Sequence, residues 1–202
     1  MRNIILKSAV ALALGIPLVA SAESTLNTVG APVTTNARVD FTIIIPRFIS
    51  LQVGAAGAGI NLITFDMTAT PGNVGNAVAV AATVGSGDLG SGVVTARVKG
   101  NNGQVTLTAA AAAGGLVTPA ADTIPFTEIS TTAAILTSAT ALPAPVLVNG
   151  TSASVLPTLA GKVTNQDARW TYNYANTNVV AAGTYGGVAV NGGRVTYTAS
   201  MP

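Results

Sequence analysis

The side chains able to move a proton or hold a cation in this chain are few and far apart. Seven carboxylates are present: Glu23, Asp40, Asp66, Asp88, Asp122, Glu128 and Asp167. Hydrolysis by paired carboxylates needs two of them about 5–10 Å apart across a cleft, and no spacing here sets up such a pair. The chain has no His and no Cys. That excludes disulfides, imidazole or thiolate metal sites, cysteine nucleophiles and any triad with a histidine base. Neither GxSxG nor SxxK occurs, and no alternating Asp/Asn run offers a calcium loop. Gly85-Ser86-Gly87-Asp88-Leu89-Gly90 matches GxGxxG. A dinucleotide site also needs a helix there and an acid about 20 residues on. The next residues, SGVVTARV, alternate like a strand, so the motif reads as a glycine-rich loop. Asn149-Gly150-Thr151 is a formal glycosylation sequon. Trp170, Tyr172 and Tyr174 alternate on one face. Such a strip suits a sugar platform, but on an alternating strand it reads first as core. The expectation is a protein that is not an enzyme and takes no cofactor and no metal.

Composition and charge agree. Of 202 residues 49% are hydrophobic and only 8% charged, which argues for a packed core rather than disorder. Residues 1–22 read as a secretory signal. Arg2 and Lys7 precede the short apolar run AVALALGIPLVA, and Val19-Ala20-Ser21-Ala22 place cleavage before Glu23. The run is shorter than the roughly 20 residues a bilayer demands, and no later segment reads as a membrane span. Removing Arg2 and Lys7 leaves seven basic against seven acidic residues. The basic ones, Arg38, Arg47, Arg97, Lys99, Lys162, Arg169 and Arg194, are scattered, so nucleic acid is not an expected partner. A neutral, sparsely charged surface suits a subunit that packs against copies of itself.

Period-2 alternation fills the remainder, as an all-β protein requires. Val39, Phe41, Ile43 and Ile45 share one parity, continued beyond Pro46 by Ile49, Leu51 and Val53. Further strands are expected at 62–67, 77–84, 93–98, 104–109, 132–137, 154–163, 169–174 and 194–200. Lys99-Gly100-Asn101-Asn102-Gly103 predicts a hairpin between two of them, and Asn191-Gly192-Gly193 predicts another near the end. Residues 23–37, polar and rich in Thr and Asn, read as an extended arm ahead of a domain spanning 38–202.

These features resemble pilus or fimbrial subunits of the chaperone–usher kind. The likeness rests on the signal peptide, the polar arm, the strand opening Ala37-Arg38-Val39-Asp40-Phe41, the hairpin RVKGNNGQVTLTA, and the ending Gly183-Thr184-Tyr185-Gly186-Gly187 followed by Val195-Thr196-Tyr197. The resemblance implies an immunoglobulin-like β-sandwich lacking its last strand, filled first by a periplasmic chaperone. An arm from the next subunit then fills it at an outer-membrane usher. The implied function is a structural subunit of a surface fibre serving adhesion, exported through the periplasm to the cell surface. The donor would be Val29, Ala31 and Val33. The competing reading is a monomeric secreted module that binds glycan or cell-wall polymer through loops at one end of the sandwich.

Overall fold

A computed structural model describes residues 24–202; the expected signal segment, residues 1–22, and Glu23 lie outside the described residues. The chain divides into two units, one ending at Ile45 and the other running from Pro46 to Pro202. In the second unit the strands are β1 (Ile49–Val53), β2 (Val80–Ala81), β3 (Val93–Gly100), β4 (Thr106–Ala110), β5 (Leu116–Val117), β6 (Thr123–Ile124), β7 (Ile129–Ala134), β8 (Leu159–Ala160), β9 (Val163–Tyr174) and β10 (Thr196–Ser200). Two single 3-10 turns, Pro71–Asn73 and Phe126–Glu128, are the only helical elements among the described residues. All strand pairs are antiparallel, gathered in one six-stranded sheet and two small two-stranded ones.

The twelve residues of β9 organise the large sheet. One edge pairs with β3 from Thr164 to Thr171 and then with β2 at Asn173 and Tyr174. The other pairs with β8 at its start and with β7 from Arg169 to Tyr174. Between those two short neighbours, Leu142 donates its N–H to the Asp167 carbonyl at 3.0 Å. β1 adds to the far side of β3, Ile49 opposite Gly100 and Val53 opposite Ala96. In the second sheet β10 pairs with β4, Tyr197 opposite Ala109 and Ala199 opposite Leu107. Alternation explains which side chains meet. Val94, Ala96 and Val98 of β3, Leu107 and Ala109 of β4, and Ala168, Trp170, Tyr172 and Tyr174 of β9 are buried in one apolar cluster. That cluster joins the two sheets.

Several sequence expectations need correction. The Asn101-Asn102-Gly103 turn exists, but its arms do not pair with each other: β3 joins β1 and β9, while β4 joins β10. The tip is spent on tertiary bonds instead. Asn101 accepts the Phe48 N–H and donates to the Pro46 carbonyl, both at 2.8 Å. Asn102 donates to the Pro202 carbonyl at 2.7 Å, and Gly103 donates its N–H to the Lys162 carbonyl at 3.0 Å. These bonds turn the connection into a corner between sheets. Residues 187–190 form no strand, and the turn there closes locally through the Gly193 N–H and the Val190 carbonyl at 2.8 Å. Residues 62–67 form no strand. The expected strand over Val39–Ile45 carries no pairing among the described residues, and each of its large apolar side chains is exposed.

Buried polar side chains of β9 hold the long loops. Gln166 donates to the carbonyls of Thr140 and Ala141 and accepts the Thr158 N–H. Asp167, only 5% exposed, accepts the N–H groups of Thr137 and Ser138 at 2.9 Å and the hydroxyls of both residues. Arg97, its cross-strand partner, stands 3.6 Å away. Burial pushes the Asp167 carboxyl upward, but the hydrogen bonds from Thr137 and Ser138 outweigh it and hold the group well below its ordinary value of 3.8. A depressed carboxylate contributes stability that is present above the unfolded value and lost as pH falls toward the folded one. Asp167→Asn should therefore lower stability near pH 7 by about 2–3 kcal/mol, and the gap to the parent should narrow as pH drops below about 4. Urea unfolding of both proteins across that range measures it, and a gap independent of pH would contradict the assignment.

Candidate functional site

The strip Trp170, Tyr172 and Tyr174 lies inside the protein. Trp170 is fully buried, donates its indole N–H to the Leu142 carbonyl at 2.9 Å, and packs against the Tyr197 ring with centroids 5.3 Å apart. The Tyr172 and Tyr197 hydroxyls share a hydrogen bond of 2.8 Å. Tyr174 faces Phe65, with centroids 6.2 Å apart. The three rings thus tie β9 to β10 and to the 62–67 segment, and offer no open face for stacking a sugar.

The carboxylates serve local structure. Asp66 accepts the Thr68 N–H and hydroxyl, Asp88 accepts the Thr95 N–H at 2.9 Å, Asp122 accepts the Thr118 hydroxyl, and Glu128 accepts the Thr177 N–H and hydroxyl. Among the described residues no three acidic side chains gather where an ion could sit. The GxGxxG segment turns back onto β3, the Gly92 N–H donating to the Ser86 carbonyl and the Leu89 N–H to the Val93 carbonyl. Gly87 has φ +79°, and a Cβ there would stand 2.3 Å from the Val93 carbonyl oxygen. Glycine is required by the turn itself.

The proposed donor residues Val29, Ala31 and Val33 are all exposed. They occupy a loop closed by polar side chains. The Thr25 and Thr35 hydroxyls bond at 2.6 Å, Thr25 donates to the Asn36 carbonyl at 2.6 Å, and Asn27 donates to the Thr34 carbonyl at 3.1 Å. A bend over residues 29–32 interrupts the alternation that would align the three on one strand face. The next segment differs. Val39, Phe41, Ile43, Ile44 and Ile45 are between 69% and 89% exposed and, among the described residues, have no strand partner.

A second open feature lies within the domain. Among the described residues β10 pairs with β4 alone and β1 with β3 alone. The two lie beside each other without pairing. Their inward side chains, Leu51 and Val53 on β1 and Val195, Tyr197, Ala199 and Met201 along β10, pack on the core but remain only partly buried. The core is thinly covered along this margin. Sequence reasoning placed both strands but missed their free edges. The signal available was Pro46, which separates an apolar alternation from the strand proper. Comparison with known proteins adds nothing to this geometry: no family model, curated protein or solved structure matches the chain.

The tyrosine pair gives a direct readout of this margin. Burial pushes Tyr197 up to about 12, against the lowering effect of its bond to Tyr172, and pushes Tyr172 well above 10.0, reinforced by Tyr197. Raised phenols contribute stability that is present below about pH 10 and lost as pH climbs through their folded values. In alkaline titration followed by phenolate absorbance, these two should ionise together with unfolding. Tyr197→Phe should cost about 1 kcal/mol near pH 7 and reduce the late phase to the Tyr172 signal. Ionisation of Tyr197 below pH 11 without unfolding would contradict its burial.

Proposed function

We propose that this chain is a structural subunit of a bacterial surface fibre, exported and then joined to copies of itself by strand addition. The arrangement β1-β3-β9-β7 in one sheet and β4-β10 in the other supports an immunoglobulin-like sandwich in which β10, among the described residues, pairs with β4 alone. The observation that carries the reading is the run Val39–Ile45, apolar at every second position, exposed, and without a strand partner among the described residues. Such an edge-forming segment is an aggregation hazard unless a partner covers it. Burying Val39, Phe41, Ile43 and Ile45 would contribute about 1.5–3 kcal/mol each, beyond the backbone bonds gained. The resemblance to chaperone–usher subunits points the same way, and names a periplasmic chaperone and an outer-membrane usher as partners in transit. The donor in this reading is 39–45 and not the polar loop holding Val29, Ala31 and Val33.

Size-exclusion chromatography with light scattering tests the proposal on exported protein. The parent should form a ladder of oligomers. Phe41→Asp with Ile43→Asp should raise the concentration needed for polymers by about 100-fold or more, whereas Val29→Asp with Val33→Asp should change it little. The reverse pattern would return the donor to the earlier loop. A parent that stays monomeric at high concentration would overturn the fibre reading and favour the secreted binding module.

A further inference from the structure

Basic residues that are scattered along the chain come together in the fold. Val94, Ala96 and Val98 of β3 and Ala168, Trp170 and Tyr172 of β9 turn into the core. The residues between them therefore turn to the opposite face of the large sheet. That face carries Arg97, Lys99 and Arg169. Arg97 stands opposite Asp167, Lys99 opposite Asn165 and Arg169 opposite Thr95. Positions two apart along a strand, or diagonal across a pair, lie about 7 Å apart, within mutual reach of long side chains. Two more exposed cations stand at the Lys99 end. Arg47 lies between Pro46 and Phe48, both held by Asn101, and the Lys162 carbonyl accepts the Gly103 N–H. Of the six basic residues after Ile45, only Arg194 lies elsewhere.

We propose that this face is a docking surface for a linear acidic polysaccharide, whose carboxylates are held by Arg97, Lys99 and Arg169. The positive charge there is not cancelled from within. Five acids follow Ile45, and only Asp167 belongs to this face. Its oxygens are occupied by Thr137 and Ser138, with Arg97 at 3.6 Å. Asp88 lies on the far side of β3, because Thr95 donates its N–H to Asp88 and accepts the Gly54 N–H, both directed away from β9. Among the described residues neither Lys99 nor Arg169 forms an ion pair. Both are exposed. A domain with few charges thus keeps a one-signed field over one flat surface.

The neighbours of the cations decide the occupant. Ser50, Thr95, Asn165 and Thr171 share the face and offer hydroxyl and amide groups to sugar hydroxyls. The guanidinium forks match carboxylates in a bidentate manner. Single-stranded nucleic acid needs rings on which bases stack, and the rings of β9 are turned into the core. A lipid surface needs apolar anchors beside the cations. On the outward side of β1, β3 and β9 only Val93 and Val163, each the first residue of its strand, are apolar. β10 belongs to the other sheet, so this site goes beyond the fibre reading and does not rest on it.

Biolayer interferometry of the full-length exported protein on immobilised polygalacturonate tests the site, whether the protein is monomeric or assembled. The parent should bind polygalacturonate at low ionic strength, release it as salt is added, and ignore the fully methyl-esterified polymer, which has the same sugars without the charge. Lys99→Gln with Arg169→Gln should weaken binding by about tenfold or more and flatten the salt dependence. Lys99→Arg with Arg169→Lys, which keeps both charges, should bind as the parent does. Arg194→Gln removes one charge beside β10 and should change binding far less than Arg169→Gln alone. Equal losses from Arg194→Gln and Arg169→Gln would overturn the site, since net charge and not this face would then govern binding. A parent that does not bind polygalacturonate, or that binds the esterified polymer equally, would overturn it too. Tighter binding to oligothymidylate or to phosphatidylglycerol vesicles than to polygalacturonate would overturn the polysaccharide as occupant.

Discussion

The large sheet depends on β9 being paired along both edges. One face supplies Trp170, Tyr172 and Tyr174 to the core, and the strand also carries Gln166 and Asp167 to the loops that cross it. A backbone group buried without a partner costs more than a formed bond contributes. The short strands β7 and β8 leave a gap beside β9, and the loop carrying Thr137, Ser138 and Leu142 must fill it. Asp167 fixes that loop from below with a charge, so one carboxylate substitutes for strand pairing across the gap.

The same requirement is unmet at the opposite margin. Among the described residues β1 and β10 each keep one edge unpaired, and the core beneath them is covered by half-buried side chains. The other unit carries an exposed apolar run with no strand partner among the described residues. A chain with so few charges has little else to keep such surfaces apart. In the proposed account these two incomplete features satisfy each other between copies. Tyr197 links the margin to the interior, because its ring rests on Trp170 and its hydroxyl on Tyr172.

How much of this was legible in the sequence follows from how local each feature is. The alternation Val94, Ala96, Val98 and that of Trp170, Tyr172, Tyr174 placed β3 and β9, because period-2 burial needs no knowledge of the partner. The run at Val39–Ile45 shows the limit of that signal. Alternation says that a segment can form a strand, not which strand will pair with it. The Asn-Gly turn after Lys99 misled for a related reason, since the turn fixes a reversal but not whether the two arms share a sheet. The clamps of Gln166 and Asp167 left no mark at all. Their partners lie between 8 and 30 residues away in loops without pattern. Val29, Ala31 and Val33 looked like a strand only until the hydrogen bonds of Thr25, Asn27 and Thr35 closed the loop around them.

Amide hydrogen exchange resolved by residue, compared between monomer and assembled protein, tests the central claim most directly. The account predicts that assembly strongly slows exchange in two places together, across residues 39–45 and along 195–201, while the polar loop 25–36 continues to exchange as it does in the monomer. Assembly that protects residues 25–36 instead, or that leaves the amides of 195–201 unprotected, would contradict it.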